Sequence, residues 1–289
     1  MVLIVAAYAY QGPIKKWQAG LGKPNNFLAK AQLSKMDKIE ISREGKTATL
    51  EKQGDKWKVG GTKGFYVSKA NTDEMMNALI EAQKSGLELV SANKMKKNDF
   101  ETGDKGIKIK LFVSNKAAVD FTVGKPAGEA GGNYVSRDAV AETFLVKADL
   151  YRIFSRPDWR ELTVFASDKD SIAKLRLQYP DREIIVEKKN GKWEMFKPRK
   201  EVKAEKLEQL LDIMSSLAAV KIPEQTFKGT GLEKHAIIVQ ATGEGVDNTI
   251  MIGDKSKEGL YYAKPGANDN IYLISKSNRD ELDKKVNQF

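Results

Sequence analysis

The sequence predicts an α+β protein of two tandem βββαββββα-like repeats, with antiparallel sheets and helices packed on them. Three observations carry that expectation. First, Ser34 to Val59 (SKMDKIEISREGKTATLEKQGDKWKV) and Ser171 to Met195 (SIAKLRLQYPDREIIVEKKNGKWEM) follow one pattern. In each, an alternating apolar run (Ile39, Ile41; Leu175, Leu177) meets a polar turn (Glu44-Gly45; Pro180-Asp181), then a second run (Ala48, Leu50; Ile184, Val186), another turn and Lys-Trp. Apolar residues at every second position mark half-buried strands, and Gly, Asn and Asp between them mark tight turns. Second, Trp57 and Trp193 stand at matching places. Third, an apolar stripe of helical spacing follows each meander, and further alternating runs follow each stripe.

The chain opens on MVLIVAAYAY, which carries no charge, followed by Gln11-Gly12-Pro13 and Lys15-Lys16. Ten helical residues rise only about 15 Å. A bilayer core takes about 20 residues, and a secretory signal places basic residues before its apolar run. Two readings stay open: the C-terminal half of a membrane anchor that starts upstream of Met1, or a short apolar segment packed on the first domain. Residues 17-35 read as a spacer with a Gly-Lys-Pro-Asn-Asn turn. The expected division is a leader over 1-35, a first repeat over 36-160 and a second over 168-289.

After the first meander, Asn71-Thr72-Asp73-Glu74 supplies cap candidates and first-turn acids for a helix running to about Ser85. Its expected apolar face is Met76, Leu79, Ile80 and Gln83. The second copy has a clearer stripe at Leu207, Leu210, Leu211, Met214 and Leu217, expected to lie across its sheet. Alternation resumes at Ile107 to Val113, Phe121 to Val123 and Thr143 to Val146, and in the second copy at Ile237 to Val239, Ile250 to Ile252, Tyr261-Tyr262 and Ile271 to Ile274. Closing helices are expected at Lys147 to Phe154 and Ser277 to Val286. Runs of strands with segregated helices place the chain in the α+β class.

The formal net charge of +10 suggests nucleic acid until it is divided by segment. Residues 1-35 carry five Lys and no acid, whereas residues 36-160 carry 22 basic and 18 acidic side chains. Charges of both signs are interspersed through the repeats, which describes solvated faces and not a phosphate-tracking stripe. With no Cys, disulfides, thiolate catalysis and Cys-ligated metal are excluded.

The chemistry-bearing motifs all fall short. One His, His235, could complete a Ser-His-Asp arrangement, but no Ser or acid is spaced to join it. A phosphate loop needs Gly-x4-Gly-Lys-Ser/Thr; Gly22-Lys23 runs into Pro24, and Gly124 to Gly132 is a glycine-rich hairpin between strands. Asp168-Lys169-Asp170 lacks the Gly and bidentate Glu of a calcium loop and reads as a cap at the domain boundary. Trp57 and Trp193 read as core by their alternation phase. The expectation is therefore no catalytic residue, no metal ligand and no cofactor.

The repeated I-x-I, Gly-Lys and Lys-Trp meander, Gly231-Leu232 before a strand, the Ile252-Gly253-Asp254-Lys255 turn followed by Tyr261-Tyr262, the Ile271 to Ile274 run and the Pro157-Asp158-Trp159-Arg160 bridge together resemble the domain of unknown function family 4340. The resemblance covers about residues 36-289. It implies an N-terminal transmembrane segment, repeats that face outside the cytoplasm, and the company of ABC-transporter components of the gliding-motility auxiliary type. The function expected on that basis is a non-enzymatic, membrane-tethered extracytoplasmic (periplasmic) binding or scaffold protein, partnered by a membrane protein such as an ABC-transporter subunit, with no nucleic acid. The alternatives are a soluble nucleic-acid or anionic-surface binder acting through the basic leader, and an enzyme with a site between the repeats. Exposed strand edges, the hairpin at Gly128 to Gly132 and the loop at Lys255 to Gly259 are the expected binding faces.

Overall fold

The computed structural model describes residues 26-224, 227-234 and 237-289. The chain divides after Arg160 into two compact units. Both are α+β, dominated by antiparallel sheet.

In the first unit the strands are β1 (Met36–Arg43), β2 (Lys46–Gln53), β3 (Lys56–Val59), β4 (Leu87–Ser91), β5 (Ile107–Val113), β6 (Lys116–Pro126), β7 (Asn133–Ser136) and β8 (Thr143–Val146). They form one sheet in the order β3-β2-β1-β5-β6-β7-β8-β4. The β1-β2 turn is the expected Glu44-Gly45, where both residues take positive φ (50° and 76°), the backbone that lets a two-residue hairpin follow the twist of its strands. Register then follows from the apolar alternation: Ile39 pairs with Leu50 and Leu111, and Ile41 with Ala48 and Ile109. All six are buried or nearly so, while Lys38, Glu40, Lys108 and Lys110 point to the other face.

That apolar face is covered by α1 (Lys69–Lys84) and the short α2 (Leu150–Phe154). Ser68 caps α1, its hydroxyl accepting from the Asn71 amide at 3.2 Å, three residues upstream of the expected cap. The buried face is Met75, Ala78, Leu79 and Ala82, with Met76 and Ile80 at its margin. The expected stripe was thus rotated by part of a turn. The small Ala78 and Ala82 let the helix approach the sheet closely, so they take the centre of the contact. Gln83 donates its side-chain amide to the carbonyls of Leu28 (2.9 Å) and Ala31 (2.7 Å).

Those two bonds locate the stretch read as spacer. Residues 26-35 belong to the first unit: Leu28 and Leu33 are buried, and Phe27 meets Phe121 at 5.6 Å between ring centroids. The Asn26 amide donates to the last carbonyls of α1, Ala82 (2.8 Å), Gln83 (3.2 Å) and Ser85 (2.6 Å), groups that no helical N–H can reach. Asn26→Ala is expected to lower stability by about 1–3 kcal/mol, checked by urea unfolding; a change within error would mean that water replaces the amide at no cost. The apolar run at 1-10 and the basic flank lie outside the described residues.

In the second unit β9 (Thr163–Ala166) pairs with β14 (Ser216–Ala218), and a larger sheet runs β13-β12-β11-β10-β15-β16-β17-β18. Its strands are β10 (Ile172–Gln178), β11 (Glu183–Lys189), β12 (Lys192–Phe196), β13 (Arg199–Val202), β15 (Ile237–Gly243), β16 (Val246–Lys255), β17 (Tyr261–Pro265) and β18 (Tyr272–Ile274). Leu175 pairs with Val186 and Ala241, and Leu177 with Ile184 and Val239. The helices are α3 (Glu208–Ser215) and α4 (Lys276–Leu282). Leu210, Leu211 and Met214 of α3 are buried as the stripe expects, but Leu217 belongs to β14.

β4, β7, β9, β13 and β14 were not legible in the sequence. β13 reads Arg-Lys-Glu-Val with only Val202 inward, and β4 buries only Leu87. β4 and β13 are edge strands, which bury few side chains and so lack alternation, whereas β7 lies inside its sheet but is only four residues long. Among the described residues, no helix is long and apolar enough to cross a membrane.

Candidate interaction surface

The hairpin of Gly128 to Gly132 joins β6 to β7 through a 3-10 turn (Gly128–Ala130). It is fastened to the end of β8. Lys147 donates its ammonium to the Ala130 carbonyl, and Gly132, at φ +82°, lies so close that a Cβ there would stand 2.1 Å from the Val146 oxygen. Only glycine permits both that backbone and that approach. In the second unit, Lys255 to Gly259 forms the β16-β17 turn, closed by the Ser256 amide on Leu260 O (2.7 Å). Glu258 there pairs with Lys221 at 2.7 Å. Both loops are therefore tethered to their own sheets.

The larger exposed apolar groups of the first unit sit on its edge strand β4 and the turn that follows it. Leu89 and Val90 of β4 are 51% and 38% exposed, and Met95, in the 3-10 segment Lys94–Lys97, is 85% exposed. The Asn93 side chain accepts from the Met95 amide (2.9 Å), which fixes the turn that presents it. Lys94 and Lys96 flank the methionine in water, while Lys97 turns inward. A lone apolar residue among lysines, outside any periodic stripe, was the signal for this patch in the sequence.

Lys97 is a structural strut. Its ammonium donates to Arg137 O at 2.8 Å; burial pushes it below the usual lysine range, while Asp138 and Glu142 pull it partly back. The Ser136 hydroxyl donates to Thr102 O (3.1 Å), and the hydroxyls of Thr102 and Thr143 share a bond of 3.2 Å. Lysine and serine thus each serve a carbonyl, which is how buried donors are satisfied, and they do not form a nucleophile-base pair.

A cleft in the same unit has an apolar floor (Ile41, Val59, Phe154, Trp159) and a rim of Arg43, Lys46, Arg156, Glu44 and Asp158. Both of its arginines meet acids, Arg43 pairing with Glu44 at 3.3 Å. Arg156 donates to Glu74 Oε2 (3.2 Å), which Arg152 also reaches (3.4 Å), and Arg160 clamps Asp158 with Nη2 at 2.7 Å. Charges of both signs around one rim create no field of a single sign to concentrate an anion.

The remaining sequence candidates resolve as follows. Trp57 and Trp193 are core residues, 3% and 6% exposed. Asp168 accepts from the Asp170 amide (3.1 Å) and the Ser171 hydroxyl (2.9 Å), a local cap. Neighbouring Lys169 is held above the usual lysine range by hydrogen bonds to Asp212 and Glu208. His235 lies outside the described residues, as do Gly22 and Lys23. Among the described residues, no group of three or more acids or histidines is placed to hold a metal.

No curated protein and no solved structure matches this chain. The family model described as "Domain of unknown function (DUF4340)" matches residues 57–234, from the last strand of the first meander across the boundary at Arg160 and through α3 of the second unit. That span is more than half of the sequence and runs through residues that carry the meander and bridge motifs, so the chain belongs to the DUF4340 family.

Proposed function

We propose that the chain is a non-enzymatic, membrane-tethered binding or scaffold protein on the extracytoplasmic face, an auxiliary component of an ABC-type transport system, and that its two units are tandem copies of one design. The binding reading rests on one observation: large apolar side chains left in water stand at sheet margins, Leu89 and Val90 on β4 and Phe196 (43% exposed) at the end of β12. Apolar surface exposed on a rigid edge marks a place for a partner.

Duplication is supported by topology. In each unit a three-stranded meander (β3-β2-β1; β12-β11-β10) is continued by four sequential strands (β5 to β8; β15 to β18). The first strand of each carries a register shift at a like place, between Met36 and Lys38 and between Ile172 and Lys174, and bulges are built features of a fold. Two similar surfaces in one chain reinforce weak contacts with one partner through effective concentration. The tether is supported by the order of the leader, apolar and then basic, and the transporter setting by the family resemblance.

Crosslinking in native membranes, followed by identification of the joined proteins, is expected to recover transport-system membrane subunits. Recovery of the protein from the soluble fraction alone, with no membrane partner, would sink the tether and the scaffold together.

A further inference from the structure

The two units treat the strand after their long helix differently. In the second unit the run after α3 has neighbours on both sides. The Ala219 amide donates to Leu162 O and the Val220 amide to Leu273 O, each at 2.8 Å. Successive N–H groups of an extended chain point to opposite sides, so this run lies between β9 and β18. Its start is in antiparallel register with β9, Ser216 opposite Ala166 and Leu217 opposite Phe165.

In the first unit β4 pairs with β8 through Leu87, Glu88 and Leu89, and it ends its sheet. Among the described residues no backbone hydrogen bond reaches its other side. The segment preceding β1, which in the second unit supplies β9, is here the 3-10 turn Phe27–Lys30 tied by Asn26 to the end of α1. Beside this open edge stand the exposed Leu89, Val90 and Met95. Exposed Lys84, Lys94 and Lys96 surround it, against Glu88 and Asp99.

We propose that the outer edge of β4 takes an extended segment of a partner protein, added as an antiparallel strand and carrying alternating apolar and acidic residues. The ladder supplies affinity; the apolar residues cover Leu89, Val90 and Met95, and the acids meet Lys94 and Lys96. The register shift between Leu89 and Ser91 in the pairing with β8 confines the addition to a short stretch from Leu87. A second copy of this chain is a poorer occupant, because it would bring its own Lys84, Lys94 and Lys96 to the same seam. This inference rests on the reading of the chain as a partner-binding protein and narrows it to one edge.

The test uses the full chain and a labelled peptide of alternating valine and glutamate, followed by fluorescence anisotropy. Binding is expected to weaken by about tenfold or more in the triple variant Leu89→Glu, Lys94→Glu, Lys96→Glu; of two versions of the peptide N-methylated at complementary sets of alternate amides, the one methylated on the amides that face β4 is expected to lose binding and the other to keep it. Lys63→Glu, on the exposed loop after β3 at the opposite end of the sheet, should leave it unchanged, and circular dichroism of each variant checks folding. Undiminished binding of both methylated peptides, or of the parent peptide by the triple variant, would overturn strand addition at this edge. A dimer in sedimentation velocity that Leu89→Glu abolishes would also overturn it, in favour of a second copy. Membrane crosslinking separates the two readings: a partner joined equally by wild type and the triple variant removes the edge and leaves the scaffold role standing.

Discussion

Trp57→Ala should lower the free energy of unfolding by about 3–5 kcal/mol, and Trp193→Ala by a similar amount. Each indole is nearly sealed from water, at 3% and 6% exposure. Each sits in a meander strand, Trp57 opposite Lys52 on β2 and Trp193 opposite Lys188 on β11 and Val202 on β13. Truncation removes the transfer energy of a large aromatic and leaves a hole that neighbouring strands, fixed by their ladders, close only in part. The backbone at Trp57 has further work, since its carbonyl accepts from the Val67 amide at 2.8 Å; alanine keeps that bond, so the loss is one of packing. Urea unfolding by circular dichroism measures the cost, and hydrogen exchange locates it. Protection should fall first in the unit that carries the substitution. A neutral result for either tryptophan would contradict its place in a core.

Gly132→Ala should cost at least about 2 kcal/mol, because it combines a positive φ with overpacking. The glycine is at φ +82°, and an added Cβ would meet Val146 O at 2.1 Å and Lys147 Cα at 3.0 Å. Neither contact is with a flexible side chain, so β8 itself must move. Gly128→Ala in the same hairpin is the control. Gly128 also has positive φ, +58°, but nothing lies within 4 Å of its Cβ position, so only the backbone penalty of about 1 kcal/mol applies. Chemical unfolding of the two variants separates the terms. Equal losses would mean that the approach to β8 relaxes freely and that the hairpin is not fastened there.

Much of the fold was legible in the sequence because its cause is local. Period-two alternation at Ile39 and Ile41, or at Leu175 and Leu177, fixes which face of a strand is apolar, and Glu44-Gly45 sets the turn that brings β2 back. The tryptophans and the stripe at Leu210, Leu211 and Met214 were readable for the same reason. The glycine-rich hairpin was readable as a turn between strands, but the exposed edge at β4 was not. β4 was invisible: Leu87 alone of its side chains is buried, and a strand whose partners lie on β8, more than fifty residues away, leaves no periodic trace. The place of Asn26 was hidden too, since three carbonyls at the end of α1 become its partners only when the chain folds back.

The sequence by itself determined the α+β class, the apolar faces of the meander strands, the absence of cysteine chemistry and the membership of one family, all of which depend on residue type and near neighbours. Tertiary structure alone decided which strands lie at the edges, that residues 26-35 belong to the first core, that Ala78 and Ala82 face the sheet, and that Leu89, Val90 and Met95 stay in water. The physical reason is that exposure and edge position are properties of what lies beside a residue in space, and pairing across long loops is set by the closure of the whole sheet.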